Sequence, residues 1–318
     1  MQRFILITLI FPLLSFGQAN KLLRQALKST DLNEQLKLYT QVIELEPTNL
    51  DAYFYRGLAN QNLGHFQTAI LDYTKVIFYK PDADTYYNRG NSRFSLEDYE
   101  GAKNDYTKAL DLNKNLFDAI YNLGLVKFYL GEYKEAISEF DKILKEFPRD
   151  AKSYNQKAMA YMELKNYEEA FKNFALNILL NPDSNAYSSR GFALLTISYY
   201  KEAQTDFYKA IQLDKANVPS YFYLGVTQLF LGEFASSATA FKESIKFDAQ
   251  DFDAYLGLAM AQFKANDLEQ AKISFTKAKS QINPNGSASD SIEIFSNTYW
   301  YSNQAFYFQE IYKQLSAL

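Results

Sequence analysis

Aromatic, small and apolar positions recur along this chain every 33 or 34 residues. One aromatic series runs Tyr39, Tyr73, Tyr106, Phe140, Phe174, Phe207, Phe241 and Phe275. A second series is Ala69, Ala102, Ala136, Ala170, Ala203, Ser237 and Ala271. A third is Gly57, Gly90, Gly124, Ala158, Gly191, Gly225 and Ala259, and a fourth is Leu32, Phe66, Tyr99, Tyr133, Tyr167, Tyr200, Phe234 and Leu268. Four series in one register mark an internal repeat, whose units stack because none can bury its apolar surface alone.

Each period reads as two helices. In residues 117–150, Ile120, Leu123, Gly124 and Lys127 fall at helical spacing, as do Tyr133, Ala136, Phe140 and Ile143. Gly131 ends the first helix because glycine tolerates the left-handed conformation of a C-terminal cap. Pro148, like Pro47, Pro81 and Pro182, stands where a second helix must stop. Gly124 and Ala136 allow close approach of the paired helices. The rings fill the remaining space, each stabilising by roughly 1.5–3 kcal/mol on burial.

Tyr53, Gly57, Phe66, Ala69, Tyr73 and Pro81 together resemble the signature of the tetratricopeptide repeat family. The resemblance covers about residues 18–285 as eight repeats. It implies an all-α, right-handed superhelical solenoid of antiparallel helix pairs. Arg56, Arg89, Lys157 and Arg190 depart from the family pattern, standing where Leu is usual; their stems are expected to pack while the charged heads reach water. Gln35 and Lys279 make the terminal repeats atypical, as capping requires.

The same resemblance implies that the first helices line a concave groove for a protein or peptide partner. The positions carried over are Phe54, Leu58, Tyr87, Asn91, Phe94, Tyr121, Asn122, Leu125, Phe128, Tyr129, Lys152, Met159, Met162, Phe192, Phe222, Val226, Phe230, Met260 and Phe263. An apolar groove suits an amphipathic helix or an extended segment with hydrophobic anchors. Some family members hold a terminal carboxylate with two Lys, two Asn and an Arg. Asn91, Asn122 and Lys152 match three of those five positions, but Tyr87 and Gln156 replace the other two cations, which weakens charge-assisted recognition. A second function class is a glycan or cell-wall binding module, since the groove sets rings beside Asp51, Asn62, Asp84, Asn88, Asp118 and Asp253.

Composition narrows the chemistry. The 318 residues are 47% hydrophobic and 22% charged, which excludes wholesale disorder. A net charge of −4 argues against nucleic acid, which requires a basic surface. With no Cys there is no disulfide framework or thiolate chemistry, and the single His65, read as a solvated turn residue, cannot build a metal cluster. No nucleophile elbow, phosphate loop or zinc-protease motif occurs, so neither an enzymatic activity nor a cofactor is expected.

The first 20 residues, MQRFILITLIFPLLSFGQAN, pair Arg3 with an apolar run from Phe4 to Leu14 and small residues Ser15 and Gly17. This is a signal-peptide pattern with cleavage before Gln18 or after Ala19. It predicts residues 1–17 as signal, a periplasmic or secreted mature chain, and no stable membrane insertion afterwards. Asn283–Asp290, NPNGSASD, reads as a linker, so residues 286–318 form linker and an aromatic-rich closing helical segment. That segment is expected to cap the last hairpin. A second reading makes Tyr299, Trp300 and Tyr301 a homodimer or partner contact, because interfaces enrich such residues.

Overall fold

The computed structural model describes residues 17–282 and 292–318. Among them there are helices and turns and no strand. Residues 1–16 of the expected signal segment 1–17, and the linker Asn283–Asp290, lie outside the described residues. Sixteen helices follow in pairs: α1 (17–28) and α2 (Leu32–Leu45), α3 (Leu50–Asn62) and α4 (Phe66–Tyr79), α5 (Ala83–Ser95) and α6 (Tyr99–Leu112), α7 (Phe117–Tyr129) and α8 (Tyr133–Glu146), α9 (Ala151–Glu163) and α10 (Tyr167–Leu180), α11 (Ser184–Thr196) and α12 (Tyr200–Leu213), α13 (Val218–Phe230) and α14 (Phe234–Phe247), α15 (Phe252–Lys264) and α16 (Leu268–Ile282). A 3₁₀ turn (Ile292–Phe295), α17 (Tyr299–Asn303) and α18 (Ala305–Leu315) close the chain. Contacts divide it into two units, Met1–Asn166 and Tyr167–Leu318.

The repeated residues do the packing expected of them. Tyr73, Tyr106, Phe140, Phe174, Phe207 and Phe241 are fully buried, as are Ala69, Ala102, Ala136, Ala170 and Ala203. Gly57, Gly90, Gly124, Gly191 and Gly225 on first helices each face the ring on the second helix of their hairpin. A Cβ on Gly57 or Gly90 would lie 2.7 Å from Tyr73 or Tyr106, and on Gly124 2.8 Å from Phe140. Consecutive first helices also touch within each unit, α5 with α3 and α7, and α13 with α11 and α15.

The turn after each first helix from α3 to α15 has one geometry, which the turn between α1 and α2 does not share. Gly64, Glu97, Gly131, Lys165, Ser198, Gly232 and Asn266 take positive φ at the same register. The amide of the following residue bonds back across the turn, as in His65 N–H to Asn60 O at 2.8 Å and Glu132 N–H to Lys127 O at 2.8 Å. This is the Schellman closure of a helix C-terminus. Glycine fills only three of these sites, so four residues adopt a conformation that costs them about 1 kcal/mol or more. Six first helices start instead on Asn49, Asp82, Asp150, Asp183, Asn217 and Asp251, whose side chains accept from an amide inside the first turn, whereas α7 starts on Leu116 without a side-chain cap.

The arginines correct the expectation that their heads reach water. Arg56 binds Asp72 through both its Nε (2.9 Å) and Nη2 (2.7 Å). Arg89 grips Asp105 in the same fork at 2.9 and 2.7 Å, and Arg190 grips Asp206 at 2.7 and 2.8 Å. Asp72, Asp105 and Asp206 are buried on the second helices. The planar guanidinium matches a carboxylate with two bonds, which holds the pair inside the hairpin. Hydrogen bonding to Asp72 and Asp206 raises Arg56 and Arg190 above the ordinary arginine value. Lys157, by contrast, pairs with the half-exposed Asp141 at 2.7 Å.

Candidate partner-binding faces

In the first unit the predicted groove residues lie on the first helices. Phe54 and Leu58 are on α3, Tyr87, Asn91 and Phe94 on α5, Tyr121, Asn122, Leu125, Phe128 and Tyr129 on α7, and Lys152, Met159 and Met162 on α9. All are half-buried or exposed. Tyr129 is the most open aromatic of the set, at 56%. It stacks on Tyr99 with ring centroids 5.1 Å apart, and Phe94 stands edge-on to both at 5.7 Å. Phe128 continues the row, edge-on to Tyr133 at 5.4 Å. Such ring pairs hold their geometry beyond what area burial alone provides.

Between the rings runs an uncharged polar ladder. Tyr106 Oη–H donates to Asn91 Oδ1 at 2.8 Å, and Asn122 Nδ2–H donates to the same oxygen at 2.9 Å. One repeat earlier, Tyr73 Oη–H and Ser92 Oγ–H donate to Gln61 Oε1 at 3.1 and 3.0 Å. One repeat later, the Tyr121 hydroxyl is hydrogen-bonded to Gln156. Burial raises the Tyr106 and Tyr121 hydroxyls above the ordinary tyrosine value, so both are neutral at any physiological pH. Of the ladder's members, Gln156 stands at a position where the family resemblance implies a cation. Lys152 is exposed at the ladder's edge. Gln61 and Gln156 belong to this arrangement and were absent from the sequence-based set; the signal was their equivalent placement one period from Phe94 and Asn122.

The second unit corrects several assignments. Val226 and Met260 are fully buried, so neither offers surface to a partner. Phe222 and Phe230 are covered by the chain's own C-terminal residues. Tyr299 stands edge-on to Phe222 at 5.2 Å, and Tyr307 lies 5.0 Å from Phe230. Phe192 packs against Tyr223 at 4.9 Å, and Phe263 is half-buried beside the same core. Trp300, expected as a tail contact, is wholly enclosed, between Phe222 at 6.2 Å and Phe241 at 6.0 Å. Tyr301 is half-buried. The closing role of the segment is also present: Phe295 and Tyr312 sit on Phe275 of α16 at 6.2 and 5.9 Å. His65 is exposed at the start of α4 and makes no capping bond.

Asp253 joins the tail to α15. Its Oδ1 accepts from Tyr299 N–H at 2.9 Å, and its main-chain oxygen accepts from Trp300 Nε1–H at 2.8 Å. Burial pushes the carboxyl up to about 6. A carboxyl raised in the docked form binds its proton more tightly there than in the undocked form. The contact is thus strongest below about pH 4 and weakens as pH rises through about 6. Asp253→Asn keeps an oxygen for Tyr299 and removes the charge. It is expected to hold the tail at pH 7.5 more firmly, by about 1–3 kcal/mol. Trp300 is the single tryptophan, so its emission during urea melting reports the contact directly. A wild-type midpoint that does not fall between pH 5 and 8 would contradict this.

Among the described residues no group of His, Asp and Glu could hold a metal, and no helix is long and apolar enough to cross a membrane. Family models described as tetratricopeptide repeat match residues 38–71, 83–116, 121–176 and 224–287, together more than half of the chain. The structure is similar to that of a tetratricopeptide repeat protein from Parabacteroides merdae. The TM-score is 0.67 at 22% identity, over 77% of this chain and 99% of that one. In sequence it is 31% identical over 140 residues to serine/threonine-protein phosphatase 5 of Homo sapiens, covering 43% of this chain and 27% of the phosphatase. It is 34% identical over 97 residues to the Hsp70-Hsp90 organizing protein of Triticum aestivum, covering 30% of this chain and 17% of that protein. The match thus spans about a quarter or less of these two relatives.

Proposed function

We propose, since the chain belongs to the tetratricopeptide repeat family, that it acts by binding and not by catalysis, and that a protein or peptide partner lies on the first-helix face of the first unit. The family is one of protein–protein interaction scaffolds. The observation that carries the assignment to this face is the alternation of rings and neutral hydrogen-bonding groups on α5 and α7. Tyr121, Leu125, Phe128 and Tyr129 offer apolar anchorage, while Asn91 and Asn122 suit the main-chain amides of an extended segment. The missing cations favour a neutral stretch over a terminal carboxylate. The sugar-binding reading draws on the same rings and carboxamides and is an alternative outcome of the same test.

A photo-crosslinking residue placed at Tyr129 or Leu125, in the native cell, should yield one discrete protein adduct. The same residue at Phe78, exposed on α4, should yield none. Phe128→Ala should weaken capture of that partner about tenfold or more, as loss of an aromatic anchor does. Equal adducts from Phe78 would argue against this face, and a polydisperse adduct removed by glycosidase would favour sugar.

We propose further that the chain works outside the cytoplasm, in the periplasm or secreted, within an envelope or secretion-related assembly, and that its mature form starts at Gln18. Arg3 and the apolar run that follows support export. Ala19 is fully buried, in one cluster with Val42 and Ala52, so cleavage before Gln18 preserves a contact that cleavage after Ala19 removes. Mass spectrometry of protein from its native cell should find Gln18 first; an intact Met1 would refute export with cleavage.

A further inference from the structure

A cap needs to cover only the end of the last hairpin, and part of the C-terminal segment does that. Phe295, Phe308, Ile311, Tyr312 and Leu315 are buried in the cluster that contains Phe275 and Ala278 of α16. Tyr299, Trp300 and Tyr307 go further. They reach back one hairpin to Phe222, Tyr223 and Phe230 of α13. Phe222 stands at the register of Tyr121 in α7, and Phe230 at that of Tyr129. The tail therefore covers, in the second unit, the positions proposed above to receive a partner in the first.

The contacts have the form of ligand recognition. Adjacent rings seat on α13, a main-chain N–H goes to the Asp253 carboxylate, and the indole N–H goes to the Asp253 carbonyl. Thr298 caps α17 by accepting from Tyr301 N–H at 3.1 Å, which presents Tyr299 and Trp300 on the first turn of a helix. Docking also buries a carboxylate, which opposes it and makes release less costly than for an all-apolar contact.

We propose that this face of α13 and α15 is a second docking surface, for a partner segment with adjacent aromatic side chains at a helix start, and that residues 298–307 of the chain itself are its resident occupant. Such a partner binds by displacing Tyr299, Trp300 and Tyr307, while the residues on α16 keep the end of the array covered. The inference does not depend on the first unit: loss of binding at α5 and α7 would leave it intact.

The test uses the full chain carrying Tyr299→Ala and Tyr307→Ala, which loosens the occupant and leaves both the face and the end cover unaltered. The probe is a fluorescently labelled peptide with the sequence of residues 297–312, followed by anisotropy. A tethered tail competes at roughly millimolar effective concentration, so the wild-type chain should bind the probe weakly. The variant should bind it at least tenfold more tightly. Phe222→Ala added to the variant, or Tyr299→Ala with Trp300→Ala in the probe, should abolish the gain. Hydrogen exchange of α13 to α16 is measured on the same samples. No gain in affinity with these helices still protected overturns the proposal. Loss of protection through α13–α16 in the variant also overturns it, because the tail would then be a structural closure and not a displaceable occupant.

Discussion

Gly124→Leu is expected to destabilise the first unit by about 3 kcal/mol, the upper end of what overpacking costs. A Cβ at this position already falls 2.8 and 2.9 Å from the Phe140 ring and 3.3 Å from Glu139 Cβ. Phe140 is wholly buried in a cluster with Ile120, Ala136 and Ile143, so the ring has nowhere to retreat. The rest of a leucine side chain must then force α7 away from α8. Because repeats couple to neighbours only, hydrogen exchange should quicken in α5 to α9 and stay unchanged in α13 to α16. Uniform loosening of both units would contradict a solenoid. Gly64→Ala is the control: nothing lies near its Cβ, and only its φ of +79° is unfavourable. That change should cost about 1 kcal/mol.

Removing one carboxylate is expected to do comparable damage. Asp105 is buried and receives both the Arg89 fork and Arg93 Nη1, the last at 2.8 Å. Asp105→Ala leaves the Arg89 guanidinium, only 13% exposed, without its counter-charge, and Arg93, 25% exposed, with only Asp98 at 3.6 Å. Orphaning a buried partner costs about 3–5 kcal/mol, and partial exposure of the arginines places this case near the lower figure. Asp141→Ala removes the half-exposed partner of Lys157 and should cost less than about 1 kcal/mol. Replacing both members of a fork, as in Arg56→Leu with Asp72→Leu, should recover most of the loss seen for Asp72→Ala alone, since an apolar pair demands no desolvation of charge. Urea denaturation at constant ionic strength measures all four. A loss under 1 kcal/mol for Asp105→Ala would show that the forks contribute little.

The fold was legible because its core is written periodically. Tyr106, Phe140 and Phe207 each meet the small residue of their own hairpin, and that pairing needs only local spacing. The forks were equally periodic, with Asp72, Asp105 and Asp206 each sixteen residues after their arginines, but an Arg at a Leu position reads as a surface residue until its partner is found. The turns were half legible. Gly131 announces a left-handed cap, whereas Glu97, Lys165 and Ser198 occupy the same conformation against their own preference, held there by the packing on either side. The second unit's face was the least legible. Nothing in the local pattern of Phe222 or Val226 separates them from Tyr121 or Leu125. What closes that face arrives from residues 46 and 47 positions beyond Asp253, and a contact at that separation leaves no mark on either segment alone.

The sameness of the hairpin turns has a consequence for how such a chain can change length. Asp98 leads into α6 from the same closure by which Glu132 leads into α8. Excising residues 99–132 would join Asp98 to Tyr133 and rebuild an equivalent joint, with Arg89 and Arg93 of α5 now facing Glu139 in place of Asp105. Duplication of that block would do the converse. The array can therefore lengthen or shorten by whole steps without inventing new turn chemistry. The last two hairpins are exempt: Phe222 and Asp253 grip one tail from two different steps, so an insertion between α13 and α15 would pull them apart. Growth is expected upstream, leaving the C-terminal end as the fixed part of an otherwise adjustable molecule.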